Sequence, residues 1–321
     1  MEDNIKKFPL FNLPFVALKK VMYQMELFSV LKLTSVSKQT KQAVSFCKLN
    51  ATDVELQLTK NFSSFLNVVY QGEKYSWGVI KTVNADSQGK LINPINQKLF
   101  KPICTQVLSI LHKKSVDTFR FDRPIEFFDI DEHWGILQGV TDIYVGSDDV
   151  SHQELLLILG RFGKLKNLFI DPMIPMWFNG FESGLKLDTL YLEAVNSMSL
   201  MNLQAKVLLM KHSVMGPSDL NVFLKDWMAH KTNPTVIRIF KVNTSLEILE
   251  GIKRHPWNPK QRSQFYVVQL KNGTMAIDCS DGYDIYREDG TMATVIFKNN
   301  TFDFLVWGER FQKVPESAVK S

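Results

Sequence analysis

The sequence predicts an α+β multidomain chain: an N-terminal three-helix unit, an irregular leucine-rich-repeat-like α/β solenoid, and a C-terminal antiparallel β meander. Three observations predict it. Leu18, Val21, Met22 and Met25 recur at i, i+3, i+4, i+7, the period of one helix face. Short apolar runs then return about every 17 to 29 residues, within or near the range of leucine-rich repeats. Toward the C-terminus, Asn272-Gly273, Asp281-Gly282, Asp289-Gly290 and Asn299-Asn300 separate alternating apolar runs, and Asn-Gly or Asp-Gly between strands is the strongest short-range hairpin signal. The expected divisions are 1–50 for the helical unit, 51–101 for a small antiparallel region, 102–252 for the repeat-like region, 253–308 for the meander and 309–321 for a loose tail.

In the helical unit, Pro14 suits the first position of a helix, where its missing N–H costs nothing. A second helix spans about Glu26 to Thr34, with Leu27, Phe28, Val30, Leu31 and Leu33 spread around most of its circumference. Ser37 is the expected N-cap of a third helix through Ala43, Val44 and Phe46, and Thr40 stands where a capping box wants Glu or Gln, which leaves the cap incomplete. A helix that is apolar all round must be buried on every side, and a unit of about 40 residues buries too little surface to manage this alone. Its faces need a second surface, from the chain or from a partner. Lys6 and Lys7 before the run Phe8 to Leu18 imitate a secretory leader, but Pro9 and Pro14 interrupt the run, and Lys19 and Lys20 end it without a small-residue cleavage site.

Charge divides unevenly. Residues 1–50 carry eight lysines against Glu2, Asp3 and Glu26, which accounts for the whole net charge of +5. The other 271 residues balance 30 basic against 30 acidic groups, whereas a nucleic-acid-binding body carries a basic excess because phosphate neutralisation supplies most of its affinity. The 45% hydrophobic and 22% charged composition is that of a globular chain. The longest stretches without charge are 12 residues, short of the ~20 that a membrane-spanning helix needs. Cys47, Cys104 and Cys279 are odd in number and widely spaced, which argues against a disulfide framework and fits a reducing compartment, cytoplasmic or nuclear.

The stretch Phe8-Pro-Leu-Phe-Asn-Leu-Pro-Phe-Val-Ala-Leu, then Met25-Glu-Leu-Phe-Ser-Val-Leu-Lys-Leu, then Ser35-Val-Ser-Lys-Gln-Thr-Lys resembles an F-box, most closely that of nematode proteins in which a large F-box-associated domain follows. The signature is Leu13-Pro14, the Leu27 and Leu31 pair, and Val36-Ser37-Lys38. Many F-boxes place a tryptophan soon after the Ser-Lys pair, and this chain has Thr40-Lys41 there. The resemblance implies docking onto the Skp-type adaptor of a cullin–RING ubiquitin ligase, and through it onto a cullin. The implied adaptor contacts fall on Leu13, Pro14, Val16, Leu18, Leu27, Leu31 and Val36. The local +5 would then steer an acidic adaptor.

Strands are expected at Val54–Leu58, Phe65–Tyr70 and Trp77–Val83, a loop over Asn84–Gln97, and a helix over Pro102–His112. The repeat-like strands are Asp117–Phe121, Thr141–Val145, Leu168–Ile170, Thr189–Leu192, Lys206–Leu209 and Val236–Phe240, with helices over Gln153–Phe162 and Ser218–Ala229. The meander strands are Gln264–Leu270, Thr274–Cys279, Tyr283–Tyr286, Ala293–Phe297 and Phe302–Val306. From about Gly184 to Trp307 the chain resembles the type 2 F-box-associated domain, which is inferred to recruit substrates.

Sites of chemistry are sparse. Leu159-Gly-Arg-Phe-Gly-Lys-Leu lacks the first glycine and the Ser or Thr of a phosphate-binding loop. Asp278, Asp281, Asp284 and Asp289 miss the spacing of an EF-hand, and the six histidines include no metal-binding pair. No nucleophile elbow occurs, and none of the cysteines lies in a thiolate motif. No catalytic residue, cofactor or metal site is assigned, and the chain is not expected to be an enzyme. Two segments are candidate target contacts: the aromatics Trp177, Phe178 and Phe181, which packing beneath their own loop would equally explain, and the basic loop Lys253–Arg262 with Arg254 and Trp257, whose simpler reading is a solvated connection stiffened by prolines. The expected function is that of a substrate receptor for a Skp–cullin–F-box ligase, binding an unknown protein target. The alternatives are an interaction scaffold that uses the helices only as a cap and, against the neutral body, a single-stranded nucleic-acid binder.

Overall fold

The structure is a computed structural model. It describes residues 10–60, 63–79, 92–94, 97–123, 130–146, 151–174, 186–195, 204–271 and 273–308. The chain divides into two units, Met1–Thr141 and Asp142–Ser321. No described helix is long and apolar enough to cross a membrane.

The first unit opens with a 3₁₀ turn at Leu10–Asn12, then α1 (Phe15–Gln24), α2 (Leu27–Val36) and α3 (Lys38–Phe46). Pro14 is the N-cap of α1, not its first helical residue: its ψ of 143° is extended, and the helix begins with Phe15. Ser37 caps α3 as expected, but the cap is complete. The Thr40 N–H donates to Ser37 Oγ at 3.1 Å, and the Ser37 N–H donates back to Thr40 Oγ1 at 3.0 Å. A threonine hydroxyl thus closes the reciprocal box that Glu or Gln usually closes.

Strands β1 (Asp53–Leu58), β2 (Ser64–Tyr70), β3 (Glu73–Val79) and β4 (Ile92–Pro94) follow, then α4 (Gln97–Ile110), β5 (Thr118–Phe121) and α5 (Ile130–Leu137). Their sheet order is β5-β1-β2-β3-β4, with β1, β2 and β3 antiparallel and the two outer pairings parallel. On β1 only Val54, Leu56 and Leu58 are buried, the period-2 pattern of a one-sided strand. Helix α4 starts five residues before the expected Pro102, which lies inside it.

The three N-terminal helices share this unit's core. Phe28 of α2 meets Tyr75 and Trp77 of β3 edge-on, with ring centroids 5.3 and 4.9 Å apart. The Tyr70 hydroxyl donates to the Met22 carbonyl, Gln106 of α4 donates to Thr34 Oγ1 at 2.7 Å, and the His112 ring meets the Ser45 carbonyl. Met22, Leu27, Val30 and Val44 are fully buried. Each such burial stabilises the unit by about 1.5–3 kcal/mol relative to exposure.

The second unit contains β6 (Asp142–Val145), α6 (His152–Arg161), β7 (Asn167–Ile174), β8 (Leu187–Val195), β9 (Ala205–Ser213), α7 (Pro217–Met228) and β10 (Val236–Phe240). It continues through β11 (His255–Pro256), β12 (Phe265–Leu270), β13 (Gly273–Asp278), β14 (Tyr283–Tyr286), β15 (Met292–Lys298) and β16 (Thr301–Val306). The repeating strands were expected to coil into a solenoid, and they do not. β6 to β10 are parallel neighbours in one open mixed sheet, which β16, β15, β14 and β11 extend beyond β10 in antiparallel register. A solenoid needs equal coils that stack on one another. Here the crossovers are unequal: β8 and β9 are joined by residues 196–204, whereas β9 and β10 are joined by residues 214–235 with α7 inside.

The C-terminal strands fall where expected, but not as one meander. β14, β15 and β16 are consecutive sheet strands, while β12 and β13 form a separate two-stranded sheet. Alternation gives the large sheet two apolar faces. On one, Phe304 meets Phe223 and Trp227 of α7 edge-on at 5.2 and 5.1 Å. On the other, Tyr266, Val268 and Ile277 of the hairpin pack with Val236, Ile296, Leu305 and Trp307. Lys271, at the hairpin tip, pairs with Asp142 of β6 at 2.8 Å.

Candidate functional site

The N-terminal helices use some apolar residues for the core and leave others outside. Of the seven expected contacts, Val16 and Val36 are 68% and 71% exposed and Pro14 is exposed. Leu13 and Leu31 are half-buried. Leu18 and Leu27, expected as contacts, are instead core residues, at 5% and 0% exposure. Two exposed aromatics lie outside the expected contacts: Phe15, at 52%, follows the Pro14 cap, and Phe46, at 61%, closes α3. Phe15 stands between two expected contacts, Pro14 and Val16, which is the signal that could have found it. Lys20, Lys32, Lys38, Lys41 and Lys48 of the same unit are exposed. Exposed apolar residues and exposed lysines on the same short helices are the composition of a protein-docking surface.

In the second unit the basic loop is less available than its sequence suggests. Arg262 is buried and fixed: its Nε donates to Asp284 Oδ1 at 2.8 Å and its Nη2 to the Cys279 carbonyl at 3.0 Å. Thr294 Oγ1 donates to the same Asp284 oxygen at 2.7 Å, and Trp307 Nε1 donates to Thr294 Oγ1 at 2.8 Å. This is an internal ion pair whose hydrogen bonds converge on one carboxylate oxygen while Asp284 Oδ2 is buried without a partner among the described residues; it is not a contact surface. Arg254 is exposed and lies over the Tyr283 ring at 5.1 Å, and Trp257 is half-buried with its indole nitrogen turned inward. Trp177, Phe178 and Phe181 lie outside the described residues.

A row of rings crosses the parallel strands. Tyr144, Phe169, Tyr191 and Leu209 are register partners on β6 to β9. Tyr144 and Phe169 stack at 4.2 Å with an interplanar angle of 1°. Each ring is half-buried, and the Tyr191 hydroxyl donates to Glu193, which pairs with Lys211 at 2.7 Å. The central aromatic in Asp142-Ile-Tyr-Val, Asn167-Leu-Phe-Ile and Thr189-Leu-Tyr-Leu was the readable signal.

The cysteine thiols are buried, and the aspartates of the C-terminal turns are paired or hydrogen-bonded. Burial pushes the Cys104 and Cys279 thiols up to about 12 and raises Cys47 as well, so none of the three is a thiolate at neutral pH. The aspartates of the C-terminal turns are engaged separately: Asp281 pairs with Lys298, Asp284 with Arg262, and Asp289 accepts the Thr291 N–H. Among the described residues, no group of three His, Cys, Asp or Glu side chains could hold a metal ion.

The helical unit defines the class of domain at the N-terminus: the F-box domain model matches residues 10–52. Two uncharacterized proteins of Caenorhabditis elegans are related to the chain. F59B2.8 is 35% identical over 104 residues, which covers 30% of this chain and 24% of that protein. F59B2.9 is 24% identical over 348 aligned positions, covering 95% of this chain and 80% of that protein. The first likeness thus spans about a quarter of that relative's length. No solved structure matches the chain.

Proposed function

We propose that this chain is a substrate-recognition subunit of a Skp–cullin–F-box ubiquitin ligase. The observation that carries the reading is the F-box match at residues 10–52, on helices that leave Phe15, Val16 and Val36 uncovered. F-box domains as a class bind Skp-type adaptors, and exposed lysines on helices that also expose apolar residues favour capture of an acidic partner. The second unit would hold the target protein, in keeping with the resemblance of residues 184–307 to a type 2 F-box-associated domain. The chain would contribute no nucleophile. It would raise the effective concentration of target lysines beside a charged conjugating enzyme, inside the cell.

Co-expression with a Skp-type adaptor followed by size exclusion tests this. Wild type is expected to form a one-to-one complex, and Val16→Asp/Val36→Asp to weaken it at least about tenfold, because charges replace exposed apolar anchors. Both positions are outside the core, so the variant should keep its thermal unfolding midpoint. A folded wild type that ignores the adaptor would sink the proposal and leave the helices as a cap on the strands beside them.

A further inference from the structure

We infer that the groove across the starts of β8, β9 and β10 is a docking site for an acidic, extended peptide segment. As the nature of a ligase target this rests on the receptor reading; as a binding property it does not need the adaptor.

The groove encloses about 600 Å³ and is lined by Lys186, Lys206 and Lys231, one from the approach to or start of each strand, with Asp188, Gln204 and Asn233 between them. Lys166 adjoins it, since its carbonyl accepts the N–H groups of Asp188 and Thr189. Lys186 is exposed, and its side chain makes no ion pair or hydrogen bond among the described residues. Lys206 pairs with Asp188 at 2.7 Å, but the two side chains are 71% and 48% exposed. Such a pair is worth little in water, so Lys206 can be drawn to an incoming carboxylate. Lys231 reaches Asp226 at 2.7 Å with 65% of its side chain exposed. The basic groups therefore outnumber the acidic ones, one amine is unneutralised, and the others are held loosely.

The lining selects among polyanions. Among the described residues no aromatic side chain lines the groove, which gives bases nothing there to stack on. Asp188 stands in the middle of the basic row, where an unbroken phosphate backbone would meet it. Separate carboxylates with neutral residues between them avoid that repulsion, and the amides of Gln204 and Asn233 suit the peptide backbone. Adjacent strands lie ~4.8 Å apart, so Lys186 and Lys206 start about that far apart across β8 and β9, while Lys231 stands in the turn that leads to β10. The fitting segment carries several acidic side chains separated by neutral residues.

The test uses the full chain and fluorescence anisotropy with a labelled peptide of four Glu-Gly-Ser repeats, a Lys-Gly-Ser control and a twelve-nucleotide oligo-dT. Saturable binding of the acidic peptide is expected, weaker at higher salt, about fivefold or more weaker in Lys186→Glu and retained in Lys186→Arg. The Lys186 side chain has no partner among the described residues, so unchanged thermal unfolding of both variants is expected. Absence of saturable binding by the acidic peptide, equal binding by Lys186→Glu, or tighter binding of oligo-dT would each overturn the assignment. The assay contains no adaptor, so its failure and the failure of adaptor docking are read separately.

Discussion

Asp303 of β16 faces Arg238 of β10 at 3.3 Å, with its side chain only 6% exposed. Burial pushes its carboxyl up to about 6, against the pull of the guanidinium, from an ordinary value near 3.8. In the folded chain the group therefore holds its proton over a pH range where the unfolded chain has released it. The native state binds more protons between about pH 4 and 6, so this group's contribution to stability falls as pH rises through that window and is lost above it. Asp303→Asn removes the dependence. Relative to wild type, the variant should gain stability on the order of 2 to 3 kcal/mol between pH 4 and pH 6.5. Urea midpoints at three pH values measure this, and parallel curves for the two proteins would refute it. Arg262 teaches the opposite lesson about reading residues singly. In Lys253-Arg-His-Pro-Trp-Asn-Pro-Lys-Gln-Arg262 it looks like one more surface cation, yet its partner Asp284 lies 22 positions away, and no local pattern announces a buried pair.

Among the elements, those with short-range causes were legible. Ser37 marks the start of α3 in the sequence and caps it in the structure. Ser37→Ala should cost about 1 kcal/mol by freeing the Thr40 N–H, lowering the thermal midpoint, while Ser37→Asp should keep it. Equal midpoints for Ser37→Ala and wild type would show that the cap carries no load. Asn299 and Asn300 both have positive φ, 52° and 56°, as a tight turn between right-twisted strands requires, and this places β15 and β16 as the dipeptide predicts. Helix α5 was missed because Gly135 interrupts it and His133 is one of its buried residues, so neither propensity nor a clean apolar stripe marks it. Among the expected adaptor contacts, the sequence could not separate Leu18 and Leu27, which are core, from Val16 and Val36, which are exposed. Both classes are apolar, and only their packing distinguishes them.

For the molecule as a whole, strand spacing correctly reported that β6 to β10 follow one another, but not that they lie in an open sheet. The pairing of β10 with β16 joins residues more than 60 positions apart, and the Lys271–Asp142 pair joins residues 129 apart. Such contacts are set by where the chain returns, which periodicity does not record. The contacts of α1 and α2 with β2 and β3, and of α3 with α4, have a direct consequence for dissection. A fragment of residues 10–52 alone should lack a cooperative unfolding transition by circular dichroism, because Phe28 loses Tyr75 and Trp77 and Met22 loses Tyr70. A sharp transition in that fragment would contradict the shared core. The passage from α3 to β1 runs through Cys47 and Leu49, both fully buried. There is accordingly no slack tether behind the F-box. A partner that grips α1 and α2 from outside turns β2 and β3 as one lever with them, and the angle of that lever is set by the seat of Phe28 between two rings rather than by the length of a linker.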